Sequence, residues 1–344
     1  KLRVIEENQT DYEGGLAASP TQRGYYATRK SALEKNQLLF RPWGGGRAVV
    51  VPSGLAPGAG LDLSHDGHRL VFSTCIERQH IMRLHTDRPP ETIAGGEWQD
   101  SSPFVLDARR MVITSDRLGQ QYGWLIDLTG NDSPRAVTPP AALASSPSRD
   151  GQFIVYAASG GRGGIAIVAV AGGAPRQLTH DPSDAAPVLT RDGKHVVFER
   201  TVSGTTTLHL VETSGGEPRV LVTGSQPATS PLDDRIAFVT PADATGARQV
   251  MLTDLAGAQP RAVASLEPAT WQRPRFSPDG KRLLVIRGFR EVVTIAIDGG
   301  PPAVVFSATT GSVNAADWAR DDDGIIAAIG AYDGDLWLAE GVFP

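Results

Sequence analysis

The sequence predicts an all-β protein, a β-propeller of eight four-stranded blades, in a chain of 344 residues. Three observations carry this reading. A turn motif of the type Ser-Pro-Asp-Gly recurs ahead of apolar runs. A Gly-Gly-x-Pro-like turn follows several copies at a similar distance. The repeat is about 43 residues long, within the range of roughly 40–45 for four-stranded propeller blades.

The clearest turn is Ser277-Pro278-Asp279-Gly280-Lys281, ahead of Leu283-Leu284-Val285-Ile286. Related copies are Ser64-His65-Asp66-Gly67, Ser148-Arg149-Asp150-Gly151 and Thr190-Arg191-Asp192-Gly193, each leading into an apolar run. Degenerate copies stand at Asp107, Asp233 and Asp322, and around Ser19. Repeat onsets fall near 17, 62, 104, 147, 188, 230, 275 and 317. Within a repeat, a short strand precedes the Asp-Gly turn and a β-rich run follows it. A second run such as Ile165 to Val170 comes next, then a Gly-Gly-x-Pro turn such as Gly172-Gly173-Ala174-Pro175 and a short last strand. Eight such units use residues 1–344 as one propeller domain, or seven if the copy around Ser19 is misread. The last repeat lacks a fourth strand. Leu2-Arg3-Val4-Ile5 is expected to supply it, so that residues 1–15 complete the last blade and remove an open edge.

Composition fits many turns around a packed core: 38 glycines, 25 prolines and 40% apolar residues. A net charge of −5, with Lys and Arg scattered, argues against a nucleic-acid surface. The single cysteine, Cys75, excludes an intramolecular disulfide and any Cys-rich metal centre, and reads as an inert thiol. No apolar stretch approaches the roughly 20 residues of a membrane-crossing helix. The chain starts at Lys1 without a signal-peptide pattern, so a processed product or part of a longer protein is expected.

The Ser-Pro-Asp-Gly signature, and above all Leu178-Thr179-His180-Asp181-Pro182-Ser183-Asp184-Ala185-Ala186-Pro187, resembles the TolB-type, WD40-like β-propeller repeats of bacteria. The usual Trp before the signature is missing from most copies, Trp318 being the exception. The resemblance implies binding more readily than catalysis. It also implies a periplasmic or otherwise extracytoplasmic setting, without excluding the cytoplasm. Relatives of this type are often sensor or interaction modules appended to signalling kinases and winged-helix regulators, and the ending Gly334-Asp335-Leu336-Trp337-Leu338 is similar to the C-termini of such modules.

The turn aspartates are expected to close their own turns, not to gather around calcium, which needs oxygens converging on one point. His65 and His68 lack a third metal ligand, and no Gly-x-Ser-x-Gly is present. The Gly-rich pieces at 44–46 and 160–164 match neither a Walker loop nor a dinucleotide fingerprint. No cofactor, catalytic residue or metal site is assigned.

What remains is the face where loops between blades open around the channel. Its candidate binding residues are Trp98, Gln99, Asp100, Asp181, Asp184, Trp271, Gln272, Arg273, Asn314 and Asp317. Arg117, Arg162, Phe289, Arg290 and Tyr332 could widen the surface. Exposed Trp and Arg are favoured binding anchors, whereas rings packed between blades would be structural only. The expected function is a non-catalytic module binding a protein, peptide or small ligand. The alternative is a metal-dependent lyase or glycan-active hydrolase in the channel, for which Asp100, Asp181, Asp184 and Asp317 are the only plausible carboxylates.

Overall fold

A computed structural model describes residues 12–30, 36–43, 46–51, 60–85, 88–96, 98–158, 163–266, 273–320 and 324–340. The described residues contain strands and turns and no helix, in keeping with the all-β fold class. They form seven antiparallel sheets, six of four strands and one of five. Every expected repeat onset falls within or beside the first strand of a repeat, from Tyr12–Ala18 and Leu61–Leu63 to Ser312–Trp318. The second and eighth repeats share the five-stranded sheet, so eight repeats give seven sheets.

The chain divides into two compact units, Arg78–Ala331 and Lys1–Glu77 with Tyr332–Pro344. The first unit is a closed ring of six blades. Blade 1 runs from Asp100–Val105 to Arg135–Ala136, blade 2 from Ala142–Pro147 to Arg176–Gln177, and blade 3 from Asp184–Leu189 to Arg219–Thr223. Blade 4 runs from Ser225–Thr229 to Arg261–Leu266, and blade 5 from Arg275–Phe276 to Ala303–Ser307. Blade 6 combines Ser312–Trp318 and residues 325–331 with residues 78–84 and Glu91–Ala94. Closure therefore comes from the second repeat. The expected closing segment Leu2 to Ile5 lies outside the described residues. Pattern explains the pairing: Ile81 packs with Met111, Ile326 and Ala328, and Leu84 with Trp318 and Ile325, all within the core.

Six apolar clusters, one between each pair of neighbouring blades, hold the ring. Each blade buries both faces, so its middle strands read as runs such as Leu283-Leu284-Val285-Ile286 instead of alternating. The second unit has its own core of Tyr26, Leu38, Val51, Leu70 and Phe72. There Trp337 donates its indole N–H to Thr74 at 3.0 Å, and Arg69 pairs with Glu340 at 2.9 Å.

The turn aspartates among the described residues act as expected, Asp322 lying outside them. Asp150, Asp192 and Asp279 each accept a backbone N–H two residues on at 3.0 Å, and also a Ser or Thr hydroxyl two residues back. The glycine that follows has φ of +64 to +68°, a region L side chains rarely adopt. These turns place the first strand of every blade along the channel, running from the interblade loops down to the Asp-Gly turns. Three of those strands carry a bulge at a non-glycine residue with positive φ, namely Ser102, Ala186 and Gln226. The bulge breaks regular pairing between the start and the end of the strand, so the two ends of the channel are built separately.

Candidate functional site

At the interblade-loop end, blades 1 and 3 carry the same device. Asp100, the first residue of its strand, takes both oxygens to Arg117 Nη2 at 2.8 Å. Asp184, also first in its strand, accepts Arg200 Nε at 2.6 Å and Nη2 at 2.9 Å. Both carboxylates are fully buried, while the guanidinium groups stay partly open. Each arginine is aimed by an acid sixteen or seventeen residues earlier.

The surroundings differ. In blade 1, Arg117 lies over the Trp98 ring at 5.1 Å and the Trp124 ring at 5.0 Å. Trp124 is buried, but Trp98 is 37% exposed. The Trp98 ring lies so close to the backbone at Gly96 that a Cβ there would come within 2.6 Å of it. Gln99 donates its backbone N–H to Asp116 at 2.8 Å and bridges to Gln79, which fixes the loop. In blade 3, Arg200 lies over Phe198, and Phe198 stacks on His209 with centroids 5.5 Å apart. The Thr179 hydroxyl donates to Asp184 and accepts the Ile165 N–H, tying the loop from blade 2 into the pair. Asp181 accepts the backbone N–H and hydroxyl of Ser183 and lies 3.5 Å from Arg200. Those two hydrogen bonds lead in holding its carboxyl below the usual range, against a smaller opposing effect of burial. Burial, with Arg200 beside it, pushes the His209 imidazole down, so it is neutral near pH 7.

The other candidates scatter. Asn314 is half-buried in the inner strand of blade 6, and Phe289 and Arg290 are exposed at a blade-5 turn. Arg273 is half-buried, and burial with Arg275 nearby lowers its guanidinium to about 9. Trp271, Gln272 and Arg162 lie outside the described residues, as do the side chains of Cys75 and Tyr332. Asp317 belongs to the opposite end of the channel. It accepts the backbone N–H groups of Val105 and Trp318 at 2.9 Å each, and so clasps blade 6 to blade 1. Sequence reasoning missed Arg200, His209 and Thr179, although the recurring Asp-to-Arg spacing is a usable signal. Among the described residues, no three His, Cys, Asp or Glu side chains gather as metal ligands would.

A ring of four-stranded antiparallel blades with Asp-Gly turns at one end defines a TolB-like β-propeller fold. Solved structures with this likeness include a putative TolB from Agrobacterium tumefaciens, 18% identical, covering 76% of this chain and 99% of that one with a TM-score of 0.59. TolB from Acinetobacter baumannii is 14% identical, covering 92% of this chain and 80% of its own with a TM-score of 0.55. A chain of the nidogen/laminin complex is 10% identical, covering 64% and 90% with a TM-score of 0.52. No family model and no curated protein matches the sequence.

Proposed function

We propose that the ring Arg78–Ala331 is a non-catalytic binding module that docks a polypeptide over the interblade-loop end of its channel. One observation carries the reading: Trp98 is an exposed ring held on a guanidinium that Asp100 and Trp124 have already fixed. Aromatic and arginine side chains that lose little entropy on contact are the usual centres of protein interfaces. A propeller of similar fold within the nidogen/laminin complex is a precedent for a ring of this kind in a protein assembly.

The carboxylates an enzyme would need are engaged elsewhere. Asp100 and Asp184 are locked to arginines, Asp181 to Ser183, and Asp317 to backbone amides. A group so held is a poor general acid or base, and the arrangement favours binding over lyase or hydrolase chemistry. An extracytoplasmic setting, in a larger bacterial signalling or envelope protein, is part of this proposal and rests on the resemblance of the repeat signature to TolB-type propellers. Among the described residues no helix is long and apolar enough to cross a membrane.

Selection of peptides from a random display library on the immobilised protein tests the reading. Binders should lose at least tenfold in affinity on Trp98→Ala, with the melting temperature little changed. Binders indifferent to Trp98→Ala and to Arg117→Lys would sink it.

A further inference from the structure

The opposite end of the ring holds a cavity of about 380 Å³, lined where the six inner strands end, those of blades 2, 3 and 5 at Asp-Gly turns. Its charge is unlike that of the chain. Arg149, Arg191, Arg275 and Arg320 line it, from blades 2, 3, 5 and 6, against only Asp107 and Asp317. Both acids are committed. Asp107 accepts two backbone N–H groups and the Arg110 guanidinium, and Asp317 holds the clasp between blades 6 and 1. Arg149 and Arg191 are exposed at the rim and have no ion pair among the described residues. They occupy the second position of the turn motif, where Pro231 and Pro278 stand in other blades.

Arg275 forms the back of the cavity. It is 92% buried, and among the described residues its Nε and Nη1 have no hydrogen-bond partner. One face of its guanidinium lies on the Phe104 ring at 3.9 Å, which leaves the in-plane N–H donors free. Burial lowers its pKa to about 10, with Asp317 opposing and Arg320 adding to the shift. A buried cation without an anion is costly, and native proteins rarely keep one unless something else completes it.

We infer that this cavity binds a small organic anion carrying two or more carboxylates, with Arg275 as the inner anchor and Arg149, Arg191 and Arg320 as the outer ones. Guanidinium groups meet carboxylates in a planar, charge-assisted geometry. The cavity lies in the size range of small-molecule sites and is larger than a single inorganic ion needs. Phe104, Val188, Leu189 and Phe276 supply apolar wall for a carbon skeleton. This site lies at the other end of the channel from the polypeptide-docking face, so either can fail without the other.

Citrate is the probe. Titration calorimetry and thermal melts of the whole chain, with sodium chloride matching ionic strength, should show saturable citrate binding and a raised melting temperature. The Arg149→Gln/Arg191→Gln protein, altered only at exposed positions, should bind at least tenfold more weakly. Arg275→Met should abolish binding and, without ligand, melt at or above the wild type, because it removes an unpaired buried charge. Absence of citrate binding would overturn the inference, as would binding unchanged in both variants. Phosphate binding as tightly as citrate would overturn the organic-carboxylate assignment.

Discussion

Blades 1 and 3 begin from the same buried aspartate–arginine pair and end as different things. In blade 1 the pair supports an exposed indole. In blade 3 it is sealed by Phe198 and His209 and tied by Thr179 to the preceding blade. The pair itself is therefore no mark of function. It fixes the long side chain at the mouth of a blade, and whatever ring covers that side chain decides whether the result is a surface or a joint. Two substitutions and one titration separate these roles.

The largest effect is expected at Asp184. Asp184→Ala removes the partner of Arg200, the acceptor of the Thr179 hydroxyl and the hold on the loop between blades 2 and 3. Breaking a buried pair costs about 3–5 kcal/mol. Arg200 is 20% exposed and can recover some hydration, so about 2–4 kcal/mol is expected by denaturant titration. A loss under ~1 kcal/mol would show that the seal, not the pair, holds blade 3.

Asp100→Ala should cost less, although Asp100 is equally buried. Among the described residues its oxygens have one partner, and Arg117 keeps two aromatic faces and the Ser115 hydroxyl at 3.1 Å once the acid is gone. Cation–π contacts of about 0.5–2 kcal/mol offset part of the loss. The expected cost is about 1–3 kcal/mol, with Trp98 fluorescence altered as Arg117 loosens. Equal costs at Asp100 and Asp184 would erase the distinction drawn between the blades.

Much of this architecture is legible in the chain, because a turn that needs Asp and a positive-φ glycine announces itself each time it recurs. Ring closure is less legible. The copy around Ser19 is too degenerate to rank against the second repeat, and only the burial of Ile81 and Leu84 between blades shows which segment completes blade 6. The site residues show the same limit. Asp100, Asp184 and Asp317 read alike as acids near repeat onsets. An inner strand runs from loop to turn, so two of them at its start and one near its end face opposite mouths of the channel. Arg149 and Arg191 look like variable turn positions in sequence, and only the convergence of six turns makes them neighbours of one cavity.

The smallest effect is a slope in pH, and it belongs to blade 3 alone. His209 has Nε2 3.0 Å from the Thr207 hydroxyl and a buried Nδ1 without a partner among the described residues, on the ring stacked on Phe198. Burial is the main cause of its lowered pKa and Arg200 adds to it, while Asp184 and Asp181 oppose them. The folded protein thus prefers the neutral ring. In the unfolded chain the ring takes up its proton near the ordinary value of about 6.5. As pH falls through that value the unfolded state binds more protons than the folded one, so stability is full above it and declines below it until the folded group also protonates. Melting temperature measured from pH 7.5 to 5 should fall on this account, and His209→Gln should flatten the decline. Asp100→Ala, in the blade without such a ring, should leave the slope as it is. A slope that persists in His209→Gln would assign the titration to another group and remove the histidine seal from the contrast between the two blades.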